Sequence, residues 1–279
     1  MSTIAVLGMG LLGRGFAENL LGKGQDVVVW NRTASRCAPL GELGARVAES
    51  PADAVKGADR VHLILSADAA VDSVIEAMRP GLANGAFVVD HSTNLPAGVA
   101  ERAERLRAAG IRYVHAPVFM GPRNSRDGSG LMLICGPAAD VDALRAPLLT
   151  MTGRLMEMGE APDKAAKMKL MGNGLLIMLT ATMGDLFAMG EGCGVDAQEV
   201  LALFDEFTPT ASGMGRRALA APGKPVGFEM TMARKDVGLM IETAGGAEAL
   251  TVLPAVAGAM DQAIADGRGS DDFTTLALP

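Results

Sequence analysis

A glycine-rich loop close to the start of the chain constrains the fold more than any other feature. Residues 4–7 form a short apolar run that predicts a buried strand, and residues 13–21 predict a helix. A Gly-x-Gly-x-x-Gly spacing between a strand and a helix is typical of a turn that binds the pyrophosphate of a dinucleotide. An ordinary glycine-rich turn is the alternative, which this context disfavours. The loop residues expected to contact the cofactor are Gly8, Met9, Gly10, Leu11, Leu12 and Gly13.

The rest of the first half alternates apolar runs with helical stretches. Continuous runs rich in β-branched residues are typical of strands covered on both faces, as in a parallel sheet with crossover helices. The predicted strands that follow the first one cover residues 27–30, 61–65, 86–89, 111–114 and 131–134. The pattern predicts an α/β fold class in which an N-terminal Rossmann domain, a doubly wound parallel sheet, comes first.

Helical periodicity replaces these runs from about residue 165 onward. A long helix is predicted from Lys164 to near Gly192, where glycines can end it. Shorter helices are predicted around residues 197–207, 233–244 and 254–265. We therefore expect two domains: an NADP-binding Rossmann domain over residues 1–161 and an all-helical domain for substrate binding and dimerisation over residues 162–279.

The charge and the reactive residues argue against several classes of protein. The net charge of −7 disfavours binding to nucleic acid or to an anionic membrane, since both need a basic face. The longest apolar run, residues 174–184, is about half the length of a membrane span. Three widely spaced cysteines suit a reducing compartment, so we expect a cytoplasmic protein. Three scattered histidines predict no metal site.

The end of the second predicted strand bears on the choice between NAD and NADP. A domain that binds NAD usually places an acidic residue here to accept a hydrogen bond from the ribose 2′-hydroxyl. This chain has Asn31, Arg32 and Thr33 instead. A carboxylate would repel a 2′-phosphate, whereas arginine can bind one through two hydrogen bonds. We therefore expect NADP, as NADPH, rather than NAD, and a solvated loop arginine is the alternative. Leu65, at the end of another predicted strand, is also expected to contact the cofactor.

Lys169 and Asn173 stand four residues apart on the predicted long helix and therefore share one face. Neighbouring methionines and leucines would partly desolvate the lysine, which favours proton transfer near neutral pH. Such a lysine can protonate a carbonyl oxygen while a hydride reaches the carbonyl carbon, and Asn173 can hold that oxygen or the substrate. The alternative is that Lys169 shares a solvated face with Lys164 and Lys167.

Several motifs, in their order and spacing, resemble those of the β-hydroxyacid dehydrogenase family, which includes 3-hydroxyisobutyrate dehydrogenase and glyoxylate/succinic semialdehyde reductases. Besides the glycine loop, residues 90–96 resemble the family's D-x-S-T-x-x-P segment, and residues 115–118 resemble its D-A-P-V segment. Residues 167–173 are similar to its catalytic K-x-x-x-N helix, and residues 228–236 to a late F-x(6)-K-D segment. Residues 271–273 are similar to a motif near its C-terminus. The resemblance covers essentially the whole chain.

The resemblance implies a role for each matching residue. Lys169 would be the general acid in reduction and the general base in oxidation, and Asn173 would orient the substrate. Thr93 would contact the cofactor. Lys235 would lie near the nicotinamide or the substrate, while Asp236 would support its segment. Subunits of this family pair through the long helix and the C-terminal helices, so a homodimer or homotetramer is expected.

One segment departs from the family pattern, which normally reads A-P-V-S-G-G and grips the substrate carboxylate through Ser-Gly-Gly. The last three positions here are Phe119, Met120 and Gly121. The side chains of Phe119 and Met120 would either form the floor of a larger apolar pocket or pack against the neighbouring domain. Arg123 and Arg126 follow, and each is either a new carboxylate anchor or a solvated loop arginine.

Together these features predict an NADP-dependent oxidoreductase that passes a hydride between nicotinamide and a small carbonyl or β-hydroxyacid-type substrate. The expected catalytic residues are Lys169 and Asn173, and the expected substrate contacts are these two with Phe119, Met120 and Gly121. Two alternatives stay open. Imine reductases share the architecture and a similar W-N-R-T turn, although they usually carry another residue at the lysine position. A non-catalytic NADP-binding module would also keep the glycine loop.

Overall fold

The computed structural model describes residues 3–278. The chain divides into two compact units, Met1–Lys169 and Leu170–Pro279. This division falls inside one long helix, a few residues beyond the expected domain boundary at residues 161 and 162. The boundary between domains 1–161 and 162–279 stays a prediction.

Six parallel strands form the main sheet of the first unit: β1 (Thr3–Leu7), β2 (Asp26–Trp30), β3 (Arg46–Val47), β4 (Arg60–Leu63), β5 (Phe87–Asp90) and β6 (Arg112–His115). Their order across the sheet is β3-β2-β1-β4-β5-β6. The chain winds outward from β1 in one direction and from β4 in the other, which is the doubly wound Rossmann order. The predicted fold class is confirmed. The helices among these strands are α1 (Leu11–Gly22), α2 (Ala38–Glu42), α3 (Pro51–Ala54), α4 (Asp68–Met78) and α5 (Pro96–Ala108).

The apolar runs form strands because both faces of this sheet are covered. Successive side chains of a strand point to opposite faces. In β1, Ile4 and Val6 pack into one buried apolar cluster, and Ala5 and Leu7 pack into a second. A run without polar interruptions therefore satisfies both layers, and the strand ends are where polar side chains can reach a ligand.

A smaller sheet follows within the first unit. Its strands are β7 (Val118–Phe119), β8 (Leu131–Ile134) and β9 (Arg154–Glu157), with α6 (Pro122–Asp127) and α7 (Ala138–Leu149) between them. β8 pairs with β7 antiparallel and with β9 parallel. The strand predicted over residues 131–134 forms, but it belongs to this sheet and not to the main one. β3, β7 and β9 were not predicted, because they are very short or partly exposed and show no continuous apolar run.

The second unit is helical in the part of the chain that the structure describes. The predicted long helix is confirmed as α8 (Lys164–Cys193), which starts in the first unit. It is followed by α9 (Ala197–Phe207), α10 (Pro209–Leu219), α11 (Met230–Thr243) and α12 (Leu253–Ala263). α10 was not predicted, because Gly213 and Gly215 lower the helix propensity of its sequence.

The apolar character of α8 serves the core of the second unit. Leu170, Ile177, Met183 and Phe187 recur at helical spacing and pack with residues of α11 and α12. By length and composition α8 is apolar enough to cross a membrane, with a mean hydropathy of 1.3. A core helix passes the same test, and Thr180 is among the fully buried side chains of α8. Length and hydropathy are therefore weak evidence for a membrane span.

A buried arginine connects two helices, α4 and α5, and lies near the end of β5. The side chain of Arg102 in α5 is 1% exposed and donates to both carboxylate oxygens of Asp72, at 2.9 and 3.0 Å, and to Asp68 at 2.8 Å. Its third nitrogen lies 3.9 Å from Asp90 at the end of β5. Burial by itself lowers the pKa of Arg102, but the carboxylates and Tyr113 raise it overall. The arginine therefore stays charged, and its hydrogen bonds connect α5 to α4.

Replacing Arg102 by methionine is expected to lower the free energy of unfolding by about 3–5 kcal/mol, because the buried Asp90 loses the positive charge beside it and the partly exposed Asp68 and Asp72 lose their ion pairs. Arg105 supplies the matched control, since it also pairs with Asp72 but is 42% exposed. Arg105→Met is expected to cost at most about 1 kcal/mol. Urea unfolding of both variants is the measurement, and equal losses would contradict the assigned role of Arg102.

Candidate functional site

The glycine loop follows β1 and leads into α1. Gly8 has φ +108°, and a Cβ atom there would lie 2.2 Å from the carbonyl oxygen of Ile64 and 3.0 Å from the side chain of Leu65. A Cβ atom on Gly13 would lie 1.8 Å from the carbonyl oxygen of Gly8. Gly10, the N-cap of α1, has no protein atom within 4 Å of such a Cβ position. The fold itself therefore requires glycine at positions 8 and 13, whereas Gly10 faces open space.

Asn31 braces this loop from the end of β2. Its side-chain oxygen accepts a hydrogen bond from the backbone N–H of Met9 at 3.0 Å. Its side-chain nitrogen donates to the carbonyl oxygen of Thr33, also at 3.0 Å. The side chain was predicted to contact the cofactor, and both of its polar atoms bond to the protein here. Arg32 and Thr33, the other two predicted residues of this turn, are exposed.

Leu65 and Thr93 lie on the loops after β4 and β5. The backbone N–H of Leu65 donates to the hydroxyl of Ser92 at 2.9 Å, and the Leu65 side chain faces Gly8. The strand order reverses between β1 and β4, so these loops meet at the switch point where doubly wound sheets bind ligands. The structure thus brings the glycine loop and Leu65 together, with Thr93 next to the Ser92 hydroxyl that holds Leu65. Sequence reasoning did not single out Ser92, although it lies inside the D-x-S-T motif.

Two buried histidines extend from β4 to the end of β5. Arg60 donates its Nε hydrogen to Nε2 of His62 at 2.7 Å, and Nδ1 of His62 lies 2.8 Å from Nε2 of His91. Nδ1 of His91 lies 2.6 Å from the carbonyl oxygen of Ala116. Burial lowers the pKa of His62 well below its ordinary value and that of His91 to about 4. Both rings are therefore neutral at physiological pH. Among residues 3–278 no group of His, Cys, Asp and Glu side chains is arranged to hold a metal ion.

Lys169 is buried, with 8% of its surface exposed. Its Nζ atom donates to the carbonyl oxygen of Val118 at 2.7 Å and lies 4.2 Å from the centroid of the Phe119 ring. Lys164 and Lys167 are exposed, and Lys167 pairs with an aspartate one turn away. Lys169 therefore does not share their solvated face, and the partners of its ammonium group include the Val118 carbonyl and the Phe119 ring.

Asn173 lies in the second unit and is 5% exposed. Its side-chain nitrogen donates to one carboxylate oxygen of Asp236 in α11 at 2.7 Å, and the other oxygen pairs with Nζ of Lys235 at 2.9 Å. Asp236 is 1% exposed, so it links the two predicted site residues from a fully buried position. The structure thus brings Asn173 and Lys235 together through the carboxylate of Asp236, for which the family resemblance implied only a supporting role.

The late motif and the C-terminal motif meet at the start of α11. Asp272 accepts hydrogen bonds from the backbone N–H groups of Gly227 and Phe228, at 2.8 and 3.2 Å. The rings of Phe228 and Phe273 pack edge to face with centroids 5.4 Å apart. Burial acts to raise the pKa of Asp272, but hydrogen bonds from Thr274 and Gly227 lower it overall. The charged carboxylate thereby anchors the segment that leads to Lys235.

The segment that departs from the family pattern has mixed surroundings within the first unit. Met120 packs against the apolar cluster under α1 and contacts the loop at Gly130. The backbone N–H of Gly121 donates to the side chain of Asn124 at 3.1 Å, at the start of α6. Two arginines of α6 form ion pairs on the surface: Arg123 with Asp127, and Arg126 with Glu18 of α1.

The larger of two described cavities, about 660 Å³, lies elsewhere in the second unit. It is lined by the second half of α8, the start of α9 and residues 276–278. The smaller cavity, about 340 Å³, lies at the amino ends of β4 and β5. None of the predicted site residues lines either one.

The chain is similar to known proteins over nearly its whole length. Residues 3–159 match the family described as the NAD binding domain of 6-phosphogluconate dehydrogenase. Residues 164–279 match the NAD-binding domain of NADP-dependent 3-hydroxyisobutyrate dehydrogenase. The 3-sulfolactaldehyde reductase of Escherichia coli is 27% identical across 99% of this chain and 95% of its own.

Two solved structures share the fold over nearly their full length. The 3-hydroxyisobutyrate dehydrogenase of Mycobacterium tuberculosis, with L-serine, superposes with a TM-score of 0.85 at 22% identity, covering 99% of this chain and 98% of that one. An imine reductase of Streptomyces aurantiacus gives 0.70 at 26% identity with the same coverage. With both family matches and the motifs above, the chain belongs to the β-hydroxyacid dehydrogenase family of NAD(P)-dependent oxidoreductases.

Proposed function

We propose that the protein is an NADPH-dependent reductase of small carbonyl compounds in which Lys169 donates the proton. The observation that carries the proposal is the environment of Lys169. Its buried ammonium group is fixed by the Val118 carbonyl and the Phe119 ring, and a proton donor has to be held in this way to act on one atom of a bound substrate.

The residues of the glycine loop fit a dinucleotide. Open space around the Cβ position of Gly10 leaves room for a pyrophosphate beside the N-terminus of α1, where N–H groups and the helix dipole favour an anion. Gly8, Met9, Leu11, Leu12 and Gly13 would complete this turn, with Asn31 holding its shape. Leu65, Thr93 and Lys235 would contact the cofactor further along. When bound, the cofactor supplies or accepts a hydride at its nicotinamide ring.

The chain's own residues would handle the proton and the position of the substrate. Nζ of Lys169 would give its proton to the carbonyl oxygen as negative charge develops there, and the neutral amine would regain a proton from solvent. Asn173 would orient the substrate, because Asp236 fixes the direction of its side-chain amide. Phe119, Met120 and Gly121 would form the substrate wall, with Phe119 also stabilising the charged form of Lys169.

We further propose a cytoplasmic homodimer or homotetramer. Large apolar side chains stand exposed on two helices of the second unit, and burying them in a subunit interface would remove this apolar surface from water. They include Met171, Leu175 and Met189 of α8 and Leu203 and Phe207 of α9, which are 55–67% exposed.

Lys169→Met is expected to lower kcat by roughly 10²–10⁴-fold while leaving the Kd for NADPH unchanged. Lys167→Met, an exposed neighbour on the same helix, is the matched control and is expected to keep wild-type turnover. The assay is NADPH oxidation with a panel of aldehydes, short keto acids and cyclic imines. Turnover of cyclic imines alone would indicate an imine reductase. NADPH binding without turnover of any compound would indicate a non-catalytic module.

Arg32→Gln is expected to weaken NADPH binding by roughly 10–100-fold, because charge-assisted hydrogen bonds to the 2′-phosphate are lost. Binding of NADH is expected to stay the same. Arg36→Gln, on the same exposed turn, controls for the general loss of positive charge. Titration of both nucleotides by fluorescence is the measurement, and an equal effect on NADH and NADPH would contradict the preference for NADP.

Gly10→Ala is expected to weaken binding of both nucleotides by roughly 5–150-fold, since the added methyl group occupies space meant for the pyrophosphate. Its melting temperature is expected to stay near that of the wild type, because the added atom meets no protein atom. Gly8→Ala should instead lower the melting temperature, because its Cβ atom would clash with the Ile64 carbonyl. Unchanged nucleotide affinity in Gly10→Ala would count against the proposed loop.

A further inference from the structure

The histidine pair of the first unit has no part in the proposed chemistry. His62 and His91 are 0% and 3% exposed, and their rings are nearly parallel, with centroids 5.1 Å apart. The Phe16 ring packs against His91 at 5.2 Å. Burying two imidazoles in an otherwise apolar core costs free energy unless each nitrogen is hydrogen-bonded. The arrangement meets this condition along a single chain of bonds.

The direction of every bond in that chain follows from its two ends. Arg60 can only donate, so Nε2 of His62 accepts, and a neutral His62 then carries its proton on Nδ1. This proton is donated to Nε2 of His91, which leaves the proton of His91 on Nδ1. Nδ1 of His91 donates to the Ala116 carbonyl, which can only accept. Because the direction of the hydrogen bond is fixed at both ends, this chain of bonds cannot relay a proton. Its role is to hold the groups it joins in position.

The far end of the chain holds the backbone that positions Lys169. Residues 116–118 are buried and carry three successive carbonyl groups, each of which accepts a hydrogen bond, and Pro117 has no N–H of its own to donate. The Ala116 carbonyl accepts from His91, and the Pro117 carbonyl accepts from the N–H of Leu133 at 2.9 Å. The Val118 carbonyl accepts from Nζ of Lys169. His91 therefore fixes the carbonyl group two residues before the one that holds the lysine.

We propose that the His62–His91 pair positions the ammonium group of Lys169, by fixing the Ala116 carbonyl and through it the Val118 carbonyl. His91 is thus a positioning residue and touches neither substrate nor cofactor. The inference rests on the proposed function, since it gives Lys169 a location that proton transfer requires. Loss of the bond to Ala116 would let the 116–118 segment shift, and a misplacement of about 1 Å can cost roughly 100-fold in rate.

The test compares His91→Leu, which cannot donate, with His91→Asn, whose side-chain nitrogen takes the place of Nδ1. His91→Leu is expected to lower kcat by roughly 10–100-fold with an unchanged Kd for NADPH. The alkaline limb of its profile of kcat against pH should move to lower pH, because a displaced Val118 carbonyl stabilises the charged amine less. His91→Asn should restore kcat to within a few fold of the wild type.

A folded His91→Leu variant with wild-type kcat and pH profile would overturn the inference. So would a loss of NADPH affinity as large as the loss of kcat, or an asparagine variant no better than leucine. If His91→Leu does not fold, ¹⁵N NMR spectra of the wild-type protein can test the inference, because they show which ring nitrogen of each histidine carries the proton. Protons on Nδ1 of both rings support the chain of bonds, and a proton on Nε2 of His91 excludes it.

A failure of the proposed function would look different. In that case Lys169→Met keeps its turnover, yet the position of Lys169 is still measurable by its rate of reductive methylation, followed by mass spectrometry. Positioning by the histidine pair predicts slow methylation of Lys169 in the wild type and in His91→Asn, and faster methylation in His91→Leu. Equal rates in all three proteins would overturn the inference whatever Lys169 does in the reaction.

Discussion

A sheet buried on both faces is the constraint on which the rest of the first unit depends. Every side chain within the central strands has to enter one of two apolar layers, as the alternation of Ile4 and Val6 with Ala5 and Leu7 illustrates. Most polar chemistry therefore lies at the strand ends and in the loops beyond them, and His62 within β4 is buried as a member of the hydrogen-bonded histidine pair. Because the strands are parallel, the loops that follow β1, β4 and β5 gather at one edge, and the reversal of strand order opens that edge to a ligand.

Several of the charges that the fold buries have specific partners. Arg102 lies against carboxylates, Lys169 against a carbonyl and an aromatic ring, and Asp236 between an amide and an ammonium group. An unpaired buried charge would cost several kcal/mol, so these pairings are conditions for folding as well as features of a site. The two buried histidines are neutral, and their four ring nitrogens are satisfied by the bond between the rings, by Arg60 and by the Ala116 carbonyl. Such arrangements leave each group a single orientation, which is what catalysis by position requires.

Motifs with strict local geometry were predictable from the sequence. The glycine loop was found because its spacing reflects contacts between near neighbours, such as that between Gly13 and Gly8. The long helix was found because the sequence after residue 164 is rich in apolar helix formers, lacks the pattern of a strand and ends at glycines. The structural role of Asn31 could not be predicted, because a side chain that braces a loop and one that binds a ligand look alike in sequence. The histidine pair was missed for a related reason: its members are 29 residues apart and only strand pairing brings them together.

The sequence by itself determined the class of the fold, the strand–loop–helix unit for a dinucleotide and the family, because these depend on local periodicity and spacing. The tertiary structure decided which polar side chains are buried and what they bond to. Lys164, Lys167 and Lys169 are alike in sequence, yet only Lys169 meets the Val118 carbonyl and the Phe119 ring. That choice depends on how a helix packs on a segment some 50 residues earlier in the chain, and no pattern of neighbouring residues encodes such a contact.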